Sequence, residues 1–472
     1  MANLNPLDIR INDISIEKFN KKDKISLLPQ VIETTIYQSI WEPVVKAEML
    51  INDPIGLLSN YPLTGEELIT IRYEQIVGSR DDRSSEKTLK FIIKGVRNFF
   101  IGDRARSTGY IIDLVSPYAL QNLKKYVSHS YYDTVEDMAE KVYNEYLADE
   151  TYSLYKIKKS FRKEKSAKVR HLIVPNLRPF AGMKWLAKHA VSKDFETNFT
   201  YLFYEDLQQF NFITVQQLVK EAKAIKDTII KKKYVYASDT EIYRKDKNSD
   251  PDQEYRLITN MTFNRRLATV NKLAGGYFQN ELLEISMIQK NFNSTVTELA
   301  NTEVTPNALG SSPLNTPEYI TYVKNQAEGT EYANRIRYII NNYEDFSDEG
   351  KSQPSYRLKF GNTTKYMHAL NQLDITITVP ANMNLRAGDI IYVDIPEMHG
   401  FNQVNKDKFL SGLFLVSEVK TTISSAGRAI CSLRINKDSY TEALFKDMLY
   451  NKDEDSRRWY LTIFMVIILD GL

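Results

Sequence analysis

Along the first hundred residues, apolar and polar positions alternate in short runs that break at turn residues. Val31-Ile32-Glu33-Thr34-Thr35-Ile36-Tyr37 is β-branched and aromatic, and Val44 to Ile51 alternates until it meets Asn52-Asp53-Pro54. Leu68 to Tyr73 alternates again after Gly65, and Leu89 to Val96 and Tyr110 to Val115 follow. The polar stretch from Gly78 to Lys87 reads as a hairpin loop. Short strands divided by turn signals predict an antiparallel barrel or sandwich.

From about Pro117 the period lengthens. Thr134 is placed to cap a helix in which Val135, Met138, Val142 and Tyr146 share a face. Lys156 to Arg170 is rich in cations and reads as a solvated loop or surface arm, since no nucleic-acid module surrounds it. A second helix is expected over Met183 to Val191. Phe199 to Glu205, a turn at Asp206 to Gln209, and Phe210 to Ile213 predict a hairpin. Thr214 with Gln217 forms a capping box for a helix bearing Val215, Leu218 and Val219. Residues 238–354 are polar, Asn-rich and poorly periodic. Strand patterns return at Leu373 to Val379, Asp389 to Ile395, Leu413 to Lys420 and Ala429 to Ile435, punctuated by Pro380, Gly388, Pro396, Gly412 and Gly427. These predict a second small barrel. No fixed-period repeat is visible, which excludes a solenoid or a repetitive β-helix.

Composition narrows the function more than the fold. At 472 residues, two to four domains are expected. The 62 basic and 60 acidic side chains nearly cancel, which argues against an electrostatic nucleic-acid binder. A single cysteine, Cys431, excludes an intrachain disulfide and a cysteine zinc site, and its alternating surroundings make it a small buried hydrophobe. The N-terminus has no secretory pattern, and the longest apolar run, Leu461 to Leu469, is too short to span a bilayer. Phosphate-loop, dinucleotide, nucleophile-elbow and zinc-helix motifs are absent. His129, His171, His189, His368 and His399 lack ligand spacing, and Glu205-Asp206 reads as the shaper of a turn. No catalytic, cofactor or metal site is expected.

Several segments together resemble the baseplate hub subunit of contractile-tailed, T-even-like phages, whose architecture is shared with the hub part of type VI secretion VgrG spike proteins. They are Tyr37 to Asp53, Leu57-Leu58 through Pro62-Leu63-Thr64-Gly65-Glu66-Glu67, Val174 to Phe180 with Trp185-Leu186-Ala187, and Leu202 to Glu205. Leu385-Arg386-Ala387-Gly388-Asp389, Leu410-Ser411-Gly412 and Lys437-Asp438-Ser439 are similar to the closing barrel of such hubs.

The resemblance implies a β-rich α+β chain with two small antiparallel β-barrels joined by mixed helical and irregular regions. Residues 1–117 would form the first hub barrel, 118–197 a helical linking domain and 198–237 the start of the second barrel. Residues 238–354 would be an inserted mixed region, 355–440 the rest of the second barrel, and 441–472 a helix, charged spacer and apolar tail. Three chains would make a pseudo-sixfold ring between the sixfold tail tube and the threefold central spike, with DNA only passing through the bore. Partners would be the spike, tube or tube-initiator proteins and baseplate wedge proteins, in a virion assembled in the host cytoplasm. The alternatives are the hub of a type VI or extracellular contractile system and, from another class, a baseplate cell-wall hydrolase. In the tail, Trp459, Tyr460, Ile463, Phe464, Ile467 and Leu469 are candidate interaction residues, because burying each large apolar side chain is worth about 1.5 to 3 kcal/mol.

Overall fold

A computed structural model describes residues 9–18, 24–75, 86–101, 108–195, 200–236, 256–265, 274–277, 279–286, 290–298, 308–313, 336–340, 354–396 and 407–441. The first strands are β1 (Ile9–Glu17), β2 (Lys24–Ser26), β3 (Val31–Ser39), β4 (Lys46–Asp53), β5 (Leu68–Gln75), β6 (Lys87–Ile101) and β7 (Thr108–Val115), with the short α1 (Leu57–Asn60) after β4. Each expected strand is present. In β4 the alternation is literal: Ala47, Met49 and Ile51 are buried, whereas Lys46 and Asn52 face solvent. The expected loop between β5 and β6 lies mostly outside the described residues, but the two strands pair as antiparallel neighbours, Tyr73 opposite Lys87.

The middle of the chain carries α2 (Tyr118–Lys124), β8 (Val127–Thr134), α3 (Val135–Tyr143), a π-helical turn (Asn144–Ala148), α4 (Asp149–Tyr155), β9 (Ser160–Lys163), β10 (Val169–Leu177), α5 (Pro179–His189), β11 (Tyr201–Glu205), β12 (Gln209–Thr214), α6 (Val215–Ala224) and α7 (Lys226–Lys231). Val135, Met138 and Val142 are buried in one core with Val174, Met183, Leu186, Phe210 and Phe212. Two local expectations change. The Thr134 hydroxyl donates to Asp137 at 2.7 Å instead of accepting a backbone N–H. The basic stretch is solvated only in part: Lys156, Lys158, Lys165 and Lys168 are exposed, but β9 within it pairs parallel with β12, and Lys163 bridges Asp137 and Glu140. Two further cations of the stretch are paired, Arg162 with Glu221 on α6 and Lys159 with Glu205. Thr214 does cap α6, accepting from Gln217 N at 3.1 Å. The reciprocal arm differs, because Glu164 accepts from both Thr214 N (2.7 Å) and Thr214 Oγ1 (2.6 Å).

The remaining elements are β13 (Tyr234–Tyr236), β14 (Leu257–Ile258), β15 (Asn260–Arg265), β16 (Gln279–Ser286), β17 (Asn291–Glu298), β18 (Ser312–Pro313), β19 (Ile336–Ile340), α8 (Pro354–Leu370), β20 (Leu373–Pro380), β21 (Ile390–Asp394), β22 (Gly412–Ser424), β23 (Ala429–Lys437) and β24 (Ser439–Tyr440). β17, β16 and β19 make a separate sheet. Cys431 on β23 is buried, as its pattern predicted, with Sγ 3.3 Å from Thr421 Oγ1. The fold is thus strand-rich with helices, a β-rich α+β chain. Among the described residues no ladder closes a barrel.

One 14-stranded sheet holds strands from the early and the late parts of the chain, β1 to β23, and it contains the same arrangement twice. The first five-strand group runs β3-β4-β7-β6-β5, and the second runs β15-β20-β23-β22-β21, with every neighbouring pair antiparallel. Within each group the strands also follow one another along the chain in corresponding order. The register agrees in detail. Ile92 of β6 lies opposite Leu68 and Val115, as Leu415 of β22 lies opposite Ile390 and Asn436. A β-bulge follows at Ile93/Gly95 in one and at Val416/Glu418 in the other. The first two strands are joined by residues 40–45 in the first group and by residues 266–372 in the second.

Both groups share one hydrophobic core, in which Met49, Ile51, Ile71 and Ile112 meet Ile375, Ile377, Val419 and Leu433. Strand starts are built alike too. Thr64 N donates to Glu67 Oε1 at 2.8 Å, and Arg386 N donates to Asp389 Oδ2 at 2.8 Å, each carboxylate sitting just before its strand.

Candidate functional site

Among the described residues, the places that position whole elements are the candidate functional geometry. The first is the seam between the two groups. β22 is long enough to serve three neighbours. Its first half pairs with β21, its second half pairs on that same edge with β3, and β23 covers the other edge. The β22–β3 ladder runs antiparallel from Glu418 opposite Ser39 to Ser424 opposite Glu33. Thr35 and Thr422 face each other there with hydroxyls 3.4 Å apart, and Lys420 Nζ lies 5.9 Å from the Tyr37 ring.

Further ties secure this seam. Ile9 N donates to Gly427 O at 2.7 Å, joining β1 to the β22–β23 turn. Gln75 Oε1 accepts from Met383 N at 3.3 Å. Lys87 Nζ donates to Met383 O and, at 2.8 Å, to Asn384 Oδ1. Burial, and then the nearby Arg386 cation, push the Lys87 pKa down to about 8.

The second place is Glu205, at the end of β11. Its residue is 1 % exposed. Oε2 accepts from Val45 N at 2.9 Å, and Oε1 accepts from Ser116 Oγ at 2.7 Å and from Lys159 Nζ at 2.8 Å. Val45 precedes β4 and Ser116 follows β7, so one carboxylate binds the middle hairpin to the first strand group. Lys159 also donates to Asp206 O at 2.6 Å. The sequence reading of Glu205-Asp206 therefore splits. Asp206 does shape the turn, its Oδ1 accepting from Gln208 N and Gln209 N at 2.7 and 2.8 Å. Glu205 is instead a buried fastening between segments. A signal for it existed in the sequence: β11 is buried at every position, so an acid closing that run had to be partnered.

On the other side, the middle hairpin meets the second strand group. Tyr204, also buried, packs with Leu202, Ile213, Ala387, Leu413 and Leu415. A Cβ placed on Gly388 would stand 2.2 Å from Tyr204 Oη, and Gly388 has φ +94°. Glycine is required there both by the close approach and by the left-handed backbone.

The histidines are dispersed. His171 Nε2 pairs with Ser130 Oγ at 2.7 Å, His189 Nδ1 lies 2.8 Å from Trp185 O, the His129 ring lies tilted against Tyr131 with centroids 4.7 Å apart, and His368 lies on α8. His399 lies outside the described residues, as do Trp459, Tyr460, Ile463, Phe464, Ile467 and Leu469. Among the described residues no group of three metal-ligating side chains occurs, and no helix is long and apolar enough to cross a membrane.

With this geometry in hand, known proteins give a consistent comparison. The probable baseplate hub protein gp334 of Vibrio phage KVP40 is 22 % identical over 418 residues, covering 87 % of this chain and 90 % of the relative. The chain is similar to a phage baseplate hub protein. That likeness bears out the resemblance carried by the segments quoted above. No family model matches. Among solved structures, the 43 kDa tail protein of prophage MuSo2 from Shewanella oneidensis aligns with a TM-score of 0.48 and 9 % identity, over 90 % of this chain and 99 % of that one. A tail protein from Neisseria meningitidis MC58 aligns at 0.45 and 11 %, over 90 % and 96 %. The E. coli c3393 protein, a component of the type VI secretion system, aligns at 0.37 and 8 %, over 92 % and 79 %.

Proposed function

We propose that this chain is the structural hub of a contractile-tail baseplate, acting as a homotrimer and without catalysis. Each chain supplies two barrel-like units, so three copies surround a bore with six. Such a ring presents a near-sixfold face to the tail tube and a threefold face to a central spike, and lets DNA pass between them. Wedge proteins of the baseplate surround it, and the apolar run holding Trp459, Tyr460, Ile463, Phe464, Ile467 and Leu469 anchors it to a neighbour.

The observation that carries this reading is the repeated five-strand order, with its two copies joined edge to edge by β3 and β22. A chain that places two equivalent units side by side is suited to convert threefold into sixfold symmetry. The name of the gp334 relative supports the same assignment. The decisive measurement is solution mass. Light scattering or native mass spectrometry of the full chain, alone or with its spike, is expected to give about three times 54.7 kDa. A stable monomer or dimer in both conditions overturns the proposal, and release of soluble fragments from peptidoglycan would overturn its non-enzymatic part.

A further inference from the structure

Among the described residues, the internal repeat leaves one edge without its counterpart. In the second group, the half of β22 beyond its bulge is covered by β3. In the first group, β5 pairs with β6 only from Lys87 to Ile92. Beyond the bulge, β6 is paired with β7 on one edge, and among the described residues no strand lies on the other. Side chains there are less covered than their equivalents. Val96 is half-buried where Val419 is 1 % exposed, and Phe99 and Phe100 are 60 % and 53 % exposed.

The strand that would complete the pattern is the second group's equivalent of β3, which is β15. Register identifies the residues. Thr35 lies opposite Glu48 on β4, and Thr262 lies opposite Thr376 on β20. Glu48 and Thr376 in turn face Asp113 and Arg434, the residues opposite the two bulges. Thr262 is exposed where Thr35 is 5 % exposed, and among the described residues β15 is laddered only to β20. On the long strands, Phe100 faces Gly109 as Thr422 faces Ile430, so Phe100 takes the place of Thr422. One difference is built in: β6 has a second bulge between Arg97 and Phe100, with Asn98 at φ +54°.

We propose that the free half of β6 in one copy pairs antiparallel with β15 of a second copy, Phe100 opposite Thr262 and Ile101 opposite Met261. This repeats between chains the seam that β22 and β3 make within one. The contact is head-to-tail, β6 of each copy meeting β15 of the next, and such contacts generate rings when the rotation closes. It rests on the hub reading above and adds the residues that close the ring. Strand addition of this kind draws its affinity from main-chain hydrogen bonds, and among the described residues no ladder occupies the outer edge of β6 beyond Ile92 or the edge of β15 away from β20.

Engineered disulfides test it, because facing positions in an antiparallel pair approach closely enough to bridge. Thr35→Cys with Thr422→Cys is the internal control: it should oxidise within the chain and leave the mass of a single chain on a non-reducing gel. Phe100→Cys with Thr262→Cys in one chain should give covalent dimers and trimers, reversed by reductant. The two single variants, mixed, should give dimers only, and each alone should give none. Circular dichroism matching the parent chain confirms that these exposed positions tolerate the change. A trimer by light scattering that fails to cross-link overturns the seam and leaves the hub reading standing. Cross-linking by Phe100→Cys alone shows a like-with-like contact and overturns the head-to-tail pairing. A monomer that never cross-links overturns the seam and the hub reading together.

Discussion

Glu205→Ala removes the acceptor that holds three donors from three segments: Val45 N, Ser116 Oγ and Lys159 Nζ. Breaking one side of a buried ion pair costs about 3 to 5 kcal/mol, because the partner charge is left in a poor solvent. The Lys159 ammonium keeps the Asp206 carbonyl, which argues for the lower half of that range. Against this, each stranded donor adds about 1 to 3 kcal/mol unless water reaches it. The expected loss is therefore about 3 to 5 kcal/mol. With a urea slope of about 3 kcal/mol/M, the midpoint should fall by about 1 to 1.7 M. Tryptophan fluorescence is a suitable probe, since Trp41 packs against the core that Tyr204 enters. A chain of several units need not unfold in one step, so the transition to follow is the one reported by Trp41. Glu205→Gln keeps acceptor capacity and should lose about half as much. Glu205→Leu combined with Lys159→Met should recover much of the loss, since replacing both charges by apolar groups is often near neutral. A Glu205→Ala midpoint within about 0.3 M of the parent, which is about 1 kcal/mol, would refute the assignment of this carboxylate as a fastening.

Lys87 gives a pH signature. Folding lowers its pKa to about 8, so between there and the ordinary lysine value the unfolded chain binds more protons. Stability from this group therefore rises with pH across that window, and urea midpoints from pH 7 to 10 should show the parent gaining on Lys87→Met; parallel curves would contradict the burial of this amine. Gly388→Ala should destabilise by about 1 to 3 kcal/mol through the clash with Tyr204 and the positive φ, and thermal unfolding at an unchanged midpoint would rule out that contact. Deleting residues 459–472 should leave a soluble trimer that no longer enters baseplates if the apolar tail docks on a neighbour, while an aggregated product would show that it packs on its own subunit and normal assembly would deny it either role.

The strands were legible because one face of each is buried in a shared core, so alternation survives in the sequence: Ala47-Met49-Ile51 and Ile375-Ile377-Val379 read directly. The hairpin at Asp206 and the Thr214 cap were legible through turn and cap chemistry that acts over three or four residues. What local pattern does not carry is pairing across distance. The ordering of Arg162 and Lys163 was not legible because the acids that pair with them, Asp137, Glu140 and Glu221, lie on helices elsewhere in the chain. Glu205 looked like a turn residue because its donors come from positions 45, 116 and 159.

Two barrels are expected from the pattern and the resemblance, but the position-by-position equivalence of the two strand groups leaves no trace in the sequence. The two copies are related by strand order, register and bulge position, which depend on backbone hydrogen bonds and on a coarse in-out alternation. Neither demands particular side chains, so Thr35, Glu48 and Ile92 in one group correspond to Thr262, Thr376 and Leu415 in the other. The 266–372 connection further separates segments that residues 40–45 keep adjacent in the first group. A seam made by strand edges tolerates that divergence, because main-chain groups supply the pairing and side chains only tune it. The same property would allow one kind of junction to serve twice, between units of one chain and, in the proposed assembly, between chains. It would also let the two junctions differ in strength: the inner one is covalently tethered and hydroxyl-lined at Thr35 and Thr422, and the proposed outer one would set Phe100 opposite Thr262. A ring whose inner seams form with the fold and whose outer seams form by association would assemble from preformed pairs of units, with the β6 edge as the element that commits each chain to its neighbour.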